Sequence, residues 1–318
     1  MNGHTIGIDL GGTKVAGVRV DEAGTVVAER RAPSQAGEGA EAVAATVAGM
    51  VRLLAAGAPD VDAVGVGVAG QVDSDRGIVR QAPNLRWHDY PLGARIQDAT
   101  GLPVSVLNDV QAATYGEWQL GAARGASDVV CVFVGTGVGG GIVAGGRLLR
   151  GTSGAAGELG HTIVSLFGPV CRCGGRGCLE AYAGGWAIAR RAFEAVSARP
   201  IAGRVLIEAA GGDPQKITAS ALAAAAAAGD PLARALVAEL EDALVAGLGS
   251  IVNAFNPEVL LLGGGVIESL PRLCDTARER LVLAALPVSA AAVRVDQAAL
   301  GAAGAVGAAA WARARLHQ

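Results

Sequence analysis

The chain opens with short apolar runs separated by glycine turns. Residues 5–9 form an apolar run that ends at a Gly-Gly-Thr-Lys turn over 11–14. Residues 15–24 and 25–33 then alternate apolar and polar positions, with Gly24 between them. Two alternating runs joined at a glycine are typical of a β-hairpin. We therefore predict that the chain begins with three antiparallel strands.

Helical and strand patterns alternate after this hairpin. Apolar residues at helical spacing predict helices, and uninterrupted apolar runs that stop at a turn residue predict buried parallel strands. The predicted elements are a helix over 39–56, a strand over 61–70, a helix over 91–101, a strand over 102–109 and a helix over 111–121. The segment PNLRW over 83–87 is predicted to lie in a loop.

The same order of patterns occurs again in the second half. Strand patterns over 128–137 and 141–149 predict a second hairpin, and 258–265 predicts another buried strand. Helices are predicted over 185–198, 201–210, 219–227, 231–253, 268–286 and 301–316. We interpret this order as a structural duplication without a sequence repeat. It predicts a smaller α/β domain of residues 1–118 plus 301–318, and a larger α/β domain of residues 119–300.

Composition narrows the class of protein. A chain of 318 residues is long enough for two domains, and with 51% hydrophobic but 3% aromatic residues its cores should consist of Ala, Val and Leu. The formal net charge of -3 gives no broad attraction to nucleic acid or to an anionic membrane. The first ten residues do not resemble an export signal, and no apolar stretch reaches the roughly 20 residues of a membrane helix. We predict a cytoplasmic protein without nucleic-acid or membrane partners.

A segment in the middle of the chain has the spacing of a metal site. Its four candidate ligands are His161, Cys171, Cys173 and Cys178. Three thiolates and one imidazole suit tetrahedral Zn²⁺ and complete its coordination, which indicates a structural ion. A disulfide or a set of reduced core thiols is the alternative, although a chain without an export signal disfavours the disulfide. Glu158 and Glu180 flank the cluster, so the metal would hold both carboxylates in place.

Three glycine clusters follow apolar strands, where α/β proteins bind ligands. Glycine lets backbone N–H groups approach phosphate oxygens, and the neighbouring Thr and Lys side chains add donors. The residues concerned are Gly11, Gly12, Thr13, Lys14, Thr136, Gly137, Gly263, Gly264 and Gly265. Ordinary turns are the alternative for any one cluster, but the three together favour a nucleotide. None of them is a Walker motif or a dinucleotide-binding fingerprint.

A polar pair, Asn108 and Asp109, ends a predicted buried strand and begins a helix. The simple interpretation of Asp109 is an N-cap that satisfies free N–H groups of the helix. The functional interpretation is a carboxylate that orients an alcohol and accepts its proton during phosphoryl transfer. Asp9, at the end of the first strand, has the simple interpretation of a carboxylate that caps a turn.

Several of these segments together resemble the ROK family, which contains bacterial sugar kinases and repressors. GELGH over 157–161 and CRCGGRGCLE over 171–180 resemble its zinc-binding signature, and the likeness extends from IDLGGTK over 8–14 to LGAAGAVGAA over 300–309. The resemblance implies a two-domain α/β chain with the actin-like, ribonuclease-H-like ATPase fold. It also implies ATP, Mg²⁺ and structural Zn²⁺ as cofactors.

The resemblance assigns roles to the candidate residues. Asp109 matches the catalytic base, and Asp9 faces the Mg²⁺ of ATP. The first two glycine clusters match phosphate-holding turns, and residues 263–265 match a loop on the adenosine side. The sugar-contacting positions are Gly70, Asn84, Asn108, Asp109, Glu158, His161 and Glu180.

The function that follows is phosphorylation of a hexose at its 6-hydroxyl, with glucose as the leading acceptor. PNLRW favours glucose, whereas Gln111 is similar to N-acetylmannosamine kinases and Ala69 replaces a proline common in the family. An N-acetylmannosamine kinase or a broad-specificity hexokinase therefore remains open, as does polyphosphate as donor. A sugar-responsive regulator is disfavoured because Asp9 leaves no room for a preceding helix-turn-helix module. We expect a homodimer or homotetramer.

Overall fold

The computed structural model describes residues 3–58 and 60–316. Its strands are β1 (His4–Leu10), β2 (Lys14–Val20), β3 (Val26–Pro33), β4 (Val61–Val68), β5 (Gln71–Asp73), β6 (Ile78–Ala82), β7 (Trp87–Tyr90), β8 (Val104–Asn108), β9 (Val129–Val134), β10 (Val138–Ala144), β11 (Arg147–Leu148), β12 (Val259–Gly263) and β13 (Arg294–Gln297). Its helices are α1 (Ala40–Ala55), α2 (Leu92–Thr100), α3 (Asp109–Gln119), α4 (Glu180–Ala183), α5 (Gly185–Ala198), α6 (Arg204–Ala209), α7 (Ala219–Ala227), α8 (Pro231–Phe255), α9 (Gly265–Ser269), α10 (Arg272–Ala284), α11 (Pro287–Ala292) and α12 (Ala303–Arg315).

The first sheet has the order β3-β2-β1-β4-β8. Strands β1, β2 and β3 pair antiparallel, as predicted, whereas β4 and β8 run parallel to β1. The register aligns Leu10 with Val68 and Val68 with Asn108, so three parallel strands end at the same level. This edge of the sheet therefore carries Asp9, the turn after β4 and the pair Asn108 and Asp109.

The second sheet repeats the same plan. Its order is β11-β10-β9-β12-β13, with β12 parallel to both β9 and β13 and β10 antiparallel to β11. In both sheets, two hairpin strands lie on one side of the first strand and two parallel strands on the other. The predicted structural duplication is confirmed.

The chain divides into two compact units by its contacts. The first contains Met1–Ser127, Gly141–Gly157 and Ala298–Gln318, and the second contains Asp128–Gly140 and Glu158–Gln297. The units therefore group 119–127 and 141–157 with the N-terminal part, whereas the sequence-based division placed both segments in the larger domain. The division into two folding domains, one of residues 1–118 plus 301–318 and one of residues 119–300, stays a prediction.

Helix boundaries agree with the local chemistry of their ends. The side chain of Asp230 accepts a hydrogen bond of 2.8 Å from the N–H of Ala233 at the start of α8, and Pro231 occupies the first helical position. Asn256 ends the same helix in the left-handed conformation. No helix in the described part of the chain is long and apolar enough to cross a membrane.

The predicted single helix over 268–286 is wrong. The structure contains α9, which ends at Ser269, and α10, which begins at Arg272. Leu270 between them has φ -127° and ψ 66°, outside the helical region. Pro271 explains the break, because proline lacks an N–H group and disfavours the helical conformation of the preceding residue.

Helix α12 packs directly on the first sheet and on α3. A Cβ atom added at Gly7 would lie 1.8 Å from the carbonyl oxygen of Ala305, and one at Gly65 would lie 1.8 Å from that of Ala308. A Cβ atom at Gly307 would lie 1.7 Å from the carbonyl oxygen of Ala112 on α3. Backbone therefore approaches backbone, and only glycine allows this separation.

We expect Gly307→Ala to lower the free energy of unfolding by about 2 kcal/mol, because overpacking at a closed interface outweighs the gain in helix propensity. Urea denaturation with circular dichroism measures this change. Gly301→Ala is the matched control, since a Cβ atom there would meet nothing within 4 Å. Equal midpoints for the two variants would contradict close packing of α12.

Candidate active site

The turn after β1 lies beside another predicted site residue, Asn84. The N–H of Gly11 donates a 3.0 Å hydrogen bond to the carbonyl oxygen of Lys14, which closes the turn. A Cβ atom at Gly12 would lie 3.0 Å from Cβ of Asn84, so the Pro83–Leu85 turn packs against the glycine turn. Thr13 and Lys14 are exposed. The structure thus brings Asn84 next to the first candidate phosphate turn.

Ser34 also supports this turn, although the sequence analysis did not identify it. Its side chain is buried, and the hydroxyl donates a 2.8 Å hydrogen bond to the carbonyl oxygen of Gly12. Its backbone N–H donates to the carbonyl oxygen of Thr13 at 3.1 Å. A single serine in a loop has no pattern that would reveal this role.

Asp9 lies at the end of β1 in a largely buried position. Burial raises the pKa of its carboxyl group, and the nearby Lys14 ammonium partly opposes this shift. A Cβ atom at Gly304, at the start of α12, would lie 3.1 Å from Cγ of Asp9. A carboxylate in such surroundings is stabilised by an additional cation. The position therefore suits an oxygen ligand of a metal ion, either direct or through water.

Asn108, rather than Asp109, is the N-cap of α3. Its side-chain oxygen accepts hydrogen bonds of 3.0 Å from the N–H groups of both Val110 and Gln111. The interpretation of Asp109 as the capping residue is therefore wrong. Asp109 is the first residue of the helix, and its Oδ1 accepts hydrogen bonds from the N–H of Val110 at 2.9 Å and from Nδ2 of Asn108 at 3.0 Å.

These hydrogen bonds fix the orientation of the Asp109 carboxylate. It lies at the carboxyl end of β8, half-buried, beside the N-terminus of α3. Nδ2 of Asn108 also donates to the carbonyl oxygen of Gly70 at 3.0 Å. Gly70, Asn108 and Asp109 are therefore joined in one hydrogen-bonded group.

Gln111 has a role that the sequence did not reveal. Its side chain is buried, and Nε2 donates to the carbonyl oxygens of Gly154 at 3.0 Å and Ala156 at 2.9 Å. An asparagine would be one methylene shorter and would not reach both carbonyl groups in the same way. Gln111 therefore holds the 151–157 loop. These two hydrogen bonds explain why glutamine occupies position 111 without any contact to a sugar.

The four predicted metal ligands converge in the second unit. The ligand atoms of His161, Cys171, Cys173 and Cys178 all lie within 4.8 Å of one another. The sulfurs of Cys173 and Cys178 are 3.8 Å apart, and Nδ1 of His161 is 3.7 Å from the sulfur of Cys171. Zinc–sulfur bonds of about 2.3 Å in tetrahedral geometry place two sulfurs about 3.8 Å apart. The donor set and its spacing therefore fit a Zn²⁺ ion.

The thiols of this cluster differ in environment. Burial raises the pKa of Cys171 to about 12 and also raises the pKa of Cys178. The backbone N–H of Gly175, 3.4 Å from the sulfur, lowers the pKa of the exposed Cys173. A divalent cation among the three sulfurs would offset the cost of burying the thiolates.

His161 presents its two ring nitrogens in different directions. Nδ1 faces the sulfur of Cys171, whereas Nε2 lies 3.9 Å from Oε2 of Glu158. If Nδ1 is the metal ligand, the tautomer is fixed and Nε2 carries a proton. His161 and Glu158 are both partly exposed, so their polar atoms can reach a small polar ligand.

Glu180 is held on both of its oxygens. Oε2 accepts a 2.9 Å hydrogen bond from the N–H of Val138, and Oε1 accepts one of 3.1 Å from Nε1 of Trp186. A Cβ atom at Gly137 would lie 2.5 Å from Oε2, so the glycine turn approaches this carboxylate closely. Glu180 thus links the cysteine cluster to the predicted phosphate turn of Thr136 and Gly137.

The third glycine cluster begins where β12 ends. Gly264 has φ 93°, and a Cβ atom there would lie 2.5 Å from the carbonyl oxygen of Val134 at the end of β9. Gly263 is the last residue of β12, and Gly265 is the exposed first residue of α9. The ends of β9 and β12 therefore meet, and the turn of Thr136 lies at the same edge of the second sheet.

Comparison with known proteins agrees with the architecture of both units. The ROK family profile matches residues 5–315. A glucokinase of Streptomyces coelicolor is 37% identical over 277 residues, which cover 87% of this chain and 86% of the relative. The crystal structure of a ROK family glucokinase from Streptomyces griseus, in complex with glucose and AMPPNP, superposes with a TM-score of 0.85 at 38% identity and covers 98% of this chain and 100% of that one.

A regulator is also among the similar proteins. The xylose repressor of Caldicellulosiruptor bescii is 32% identical over 269 residues. The match covers 82% of this chain and 65% of the repressor. The chain therefore matches most of the length of the glucokinase but only about two thirds of the length of the repressor.

Proposed function

Because the chain belongs to the ROK family, we propose that it is an ATP-dependent hexose kinase, converting glucose and ATP to glucose 6-phosphate and ADP. The fold is the two-domain, actin-like ATPase fold. The two five-stranded sheets share one strand plan, as this fold requires. The observation that carries the proposal is the geometry of Asp109. Its carboxylate is oriented at a strand end by Asn108, which itself provides the helix cap.

In this proposal Asp109 acts as the general base. Its carboxylate accepts a hydrogen bond from the 6-hydroxyl and takes the proton as the oxygen attacks the γ-phosphorus. The phosphorus–oxygen bond to the β-phosphate breaks, and ADP leaves. The proposed sugar-binding residues are Gly70, Asn84, Asn108, Asp109, Glu158, His161 and Glu180.

We propose that the glycine turns bind the nucleotide. Gly11, Gly12, Thr13 and Lys14 would donate hydrogen bonds to phosphate oxygens, as would Thr136 and Gly137. Residues 263–265 would line the adenosine side. Asp9 would hold Mg²⁺, directly or through water, and the ion supplies neutralisation of phosphate charge when bound.

We further propose that the cysteine cluster holds a structural zinc ion. Three thiolates and Nδ1 of His161 complete a tetrahedral shell, which leaves no position for a reacting water. The bound ion would keep the segment from Glu158 to Glu180 in one conformation. That conformation presents Nε2 of His161 and the two carboxylates to the sugar.

The alternative acceptor is N-acetylmannosamine, or a broad range of hexoses. Gln111 is similar to the corresponding residue of such kinases, but here it bonds backbone carbonyl groups of its own unit. This contact favours a structural explanation of Gln111 and leaves glucose as the proposed acceptor. A sugar-responsive regulator is the alternative of a different class, and an oriented base at Asp109 favours the kinase over it. We also propose a cytoplasmic homodimer or homotetramer that binds small molecules rather than nucleic acid.

A coupled turnover assay with four sugars tests the proposed function. Glucose should give the highest kcat/KM with ATP, and mannose, N-acetylglucosamine and N-acetylmannosamine should each fall at least about tenfold below it, the discrimination expected when one hydroxyl or substituent is mismatched. Polyphosphate in place of ATP tests the donor. A highest value for N-acetylmannosamine would identify the alternative acceptor, and no turnover with any sugar would favour a regulator.

A further inference from the structure

We propose that Trp186 is a positioning residue for the sugar-binding carboxylate of Glu180. The inference rests on the proposed role of Glu180 in binding the sugar. Trp186 follows Glu180 by six residues and is the second residue of α5. It is half-buried and belongs to the second unit.

The indole N–H determines how the carboxylate is held. Nε1 donates a 3.1 Å hydrogen bond to Oε1 of Glu180, while the N–H of Val138 donates to Oε2 at 2.9 Å. Two donors on opposite oxygens fix the rotation of the carboxylate plane. Each oxygen retains further acceptor capacity for a sugar hydroxyl, because a carboxylate oxygen accepts more than one hydrogen bond.

The indole ring is itself held by the metal-binding segment. It packs against Cys171, Cys178 and Ala181. The guanidinium of Arg172, which lies between two of the cysteine ligands, is 4.6 Å from the ring centroid, and that of Arg190 is 5.0 Å from it. Both distances fall within the range of cation–π attraction. Ordering of the cysteine segment therefore also orders the indole.

The backbone of the same residue contacts the predicted phosphate turn. The N–H of Trp186 donates to the carbonyl oxygen of Thr136 at 3.1 Å, and the N–H of Gly185 donates to that of Gly135 at 2.8 Å. One residue thus joins the metal-binding segment, the sugar carboxylate and the Thr136 turn. The backbone contacts persist in any side-chain variant, so substitution of the indole isolates its effect on Glu180.

Loss of the indole N–H should affect sugar binding more than nucleotide binding. Oε1 of Glu180 would lose its nitrogen donor and keep only the sulfur of Cys171, 3.8 Å away. The carboxylate could then rotate about its terminal bond, which is soft for glutamate. We expect Trp186→Phe, which keeps an aromatic ring at this position, to raise KM for glucose about tenfold, within the range seen for residues that orient a ligand. KM for ATP should change less than about twofold, because the backbone contacts to Thr136 remain.

The matched control is Trp118→Phe. Nε1 of Trp118, at the end of α3 opposite to Asp109, also donates a hydrogen bond, 2.8 Å long, to the carbonyl oxygen of Ala126 within the first unit. This variant loses an indole hydrogen bond of similar length and should keep wild-type KM for both substrates. Trp186→His, which retains a ring N–H, should recover part of the affinity for glucose. Zinc content should stay at the wild-type value in all three variants.

The results of these experiments distinguish a failure of the positioning role of Trp186 from a failure of the proposed kinase function. A wild-type enzyme that phosphorylates glucose, with an unchanged glucose KM in Trp186→Phe, overturns the inference and leaves the function intact. A wild-type chain without any kinase activity overturns the function instead. The hydrogen bond itself is then tested by ¹⁵N-indole NMR, in which Glu180→Gln should shift the Trp186 Nε1–H resonance; an unmoved resonance would overturn the positioning role.

Discussion

Replacing Asp109 with Asn should reduce kcat by about 10³-fold, the middle of the range for loss of a general base. The amide is nearly the same size, so it can keep the hydrogen bonds that Oδ1 accepts from Val110 and Asn108. It cannot take a proton from the 6-hydroxyl. Binding of glucose and of a nonhydrolysable nucleotide, measured by isothermal titration calorimetry, should stay within about threefold of wild type.

The control for this experiment is Asp98→Asn. Asp98 is an exposed aspartate on α2 in the same unit, and its substitution should leave kcat unchanged. If Asp109→Asn keeps more than a tenth of wild-type kcat, Asp109 is not the base. Loss of glucose binding in Asp109→Asn would instead assign it to substrate binding alone.

Removal of the cysteine cluster should have the second large effect. Cys178→Ser replaces a buried ligand, so we expect loss of zinc and a rise in glucose KM of about 100-fold, because Glu158, His161 and Glu180 would lose their common support. Metal analysis should find one equivalent of zinc in the wild type and none in the variant. Loss of zinc with unchanged glucose KM would contradict the proposed support of the sugar site.

Two further measurements make this test independent of folding defects. A zinc-selective chelator, applied to the wild type in excess Mg²⁺, should raise the glucose KM, and added zinc should restore it. Cys274→Ser is the matched variant, because Cys274 is also buried in the second unit but lies outside the cluster. It should retain both zinc and wild-type KM. A wild-type protein without zinc would contradict the metal assignment.

Much of the fold was predictable because its elements have strong periodic patterns. The bounds of α5 and α7 agree with the predicted helices, and the first hairpin was recognisable from Gly24 between alternating runs. The single strand predicted over 141–149 is wrong, because β10 and β11 pair antiparallel there across a turn at Gly145 and Gly146. The three short strands β5, β6 and β7 were missed, as were α11 and β13. Each of these elements has only 3 to 6 residues. Such lengths give too few repeats of a period to distinguish a strand from a loop.

In the candidate site, the metal ligands could be predicted because their spacing along the sequence is characteristic of a metal site. The cluster of His161 and three cysteines converges as the spacing predicted. The roles of Asn108 and Asp109 could not be distinguished in advance, because either side chain can cap a helix. Gln111, Ser34 and Trp186 were not predicted as contacts, since their partners are backbone groups or residues that only the folded chain brings near.

The most direct test of the proposed activity is the position of the transferred phosphate. The protein should be incubated with [6-¹³C]glucose and ATP, and the product analysed by ³¹P and ¹³C NMR. We predict one new phosphate ester whose phosphorus couples to C6, formed in a one-to-one ratio with ADP and about 10³-fold more slowly with Asp109→Asn. A phosphate on another carbon, or ATP consumed without any sugar phosphate, would contradict the account.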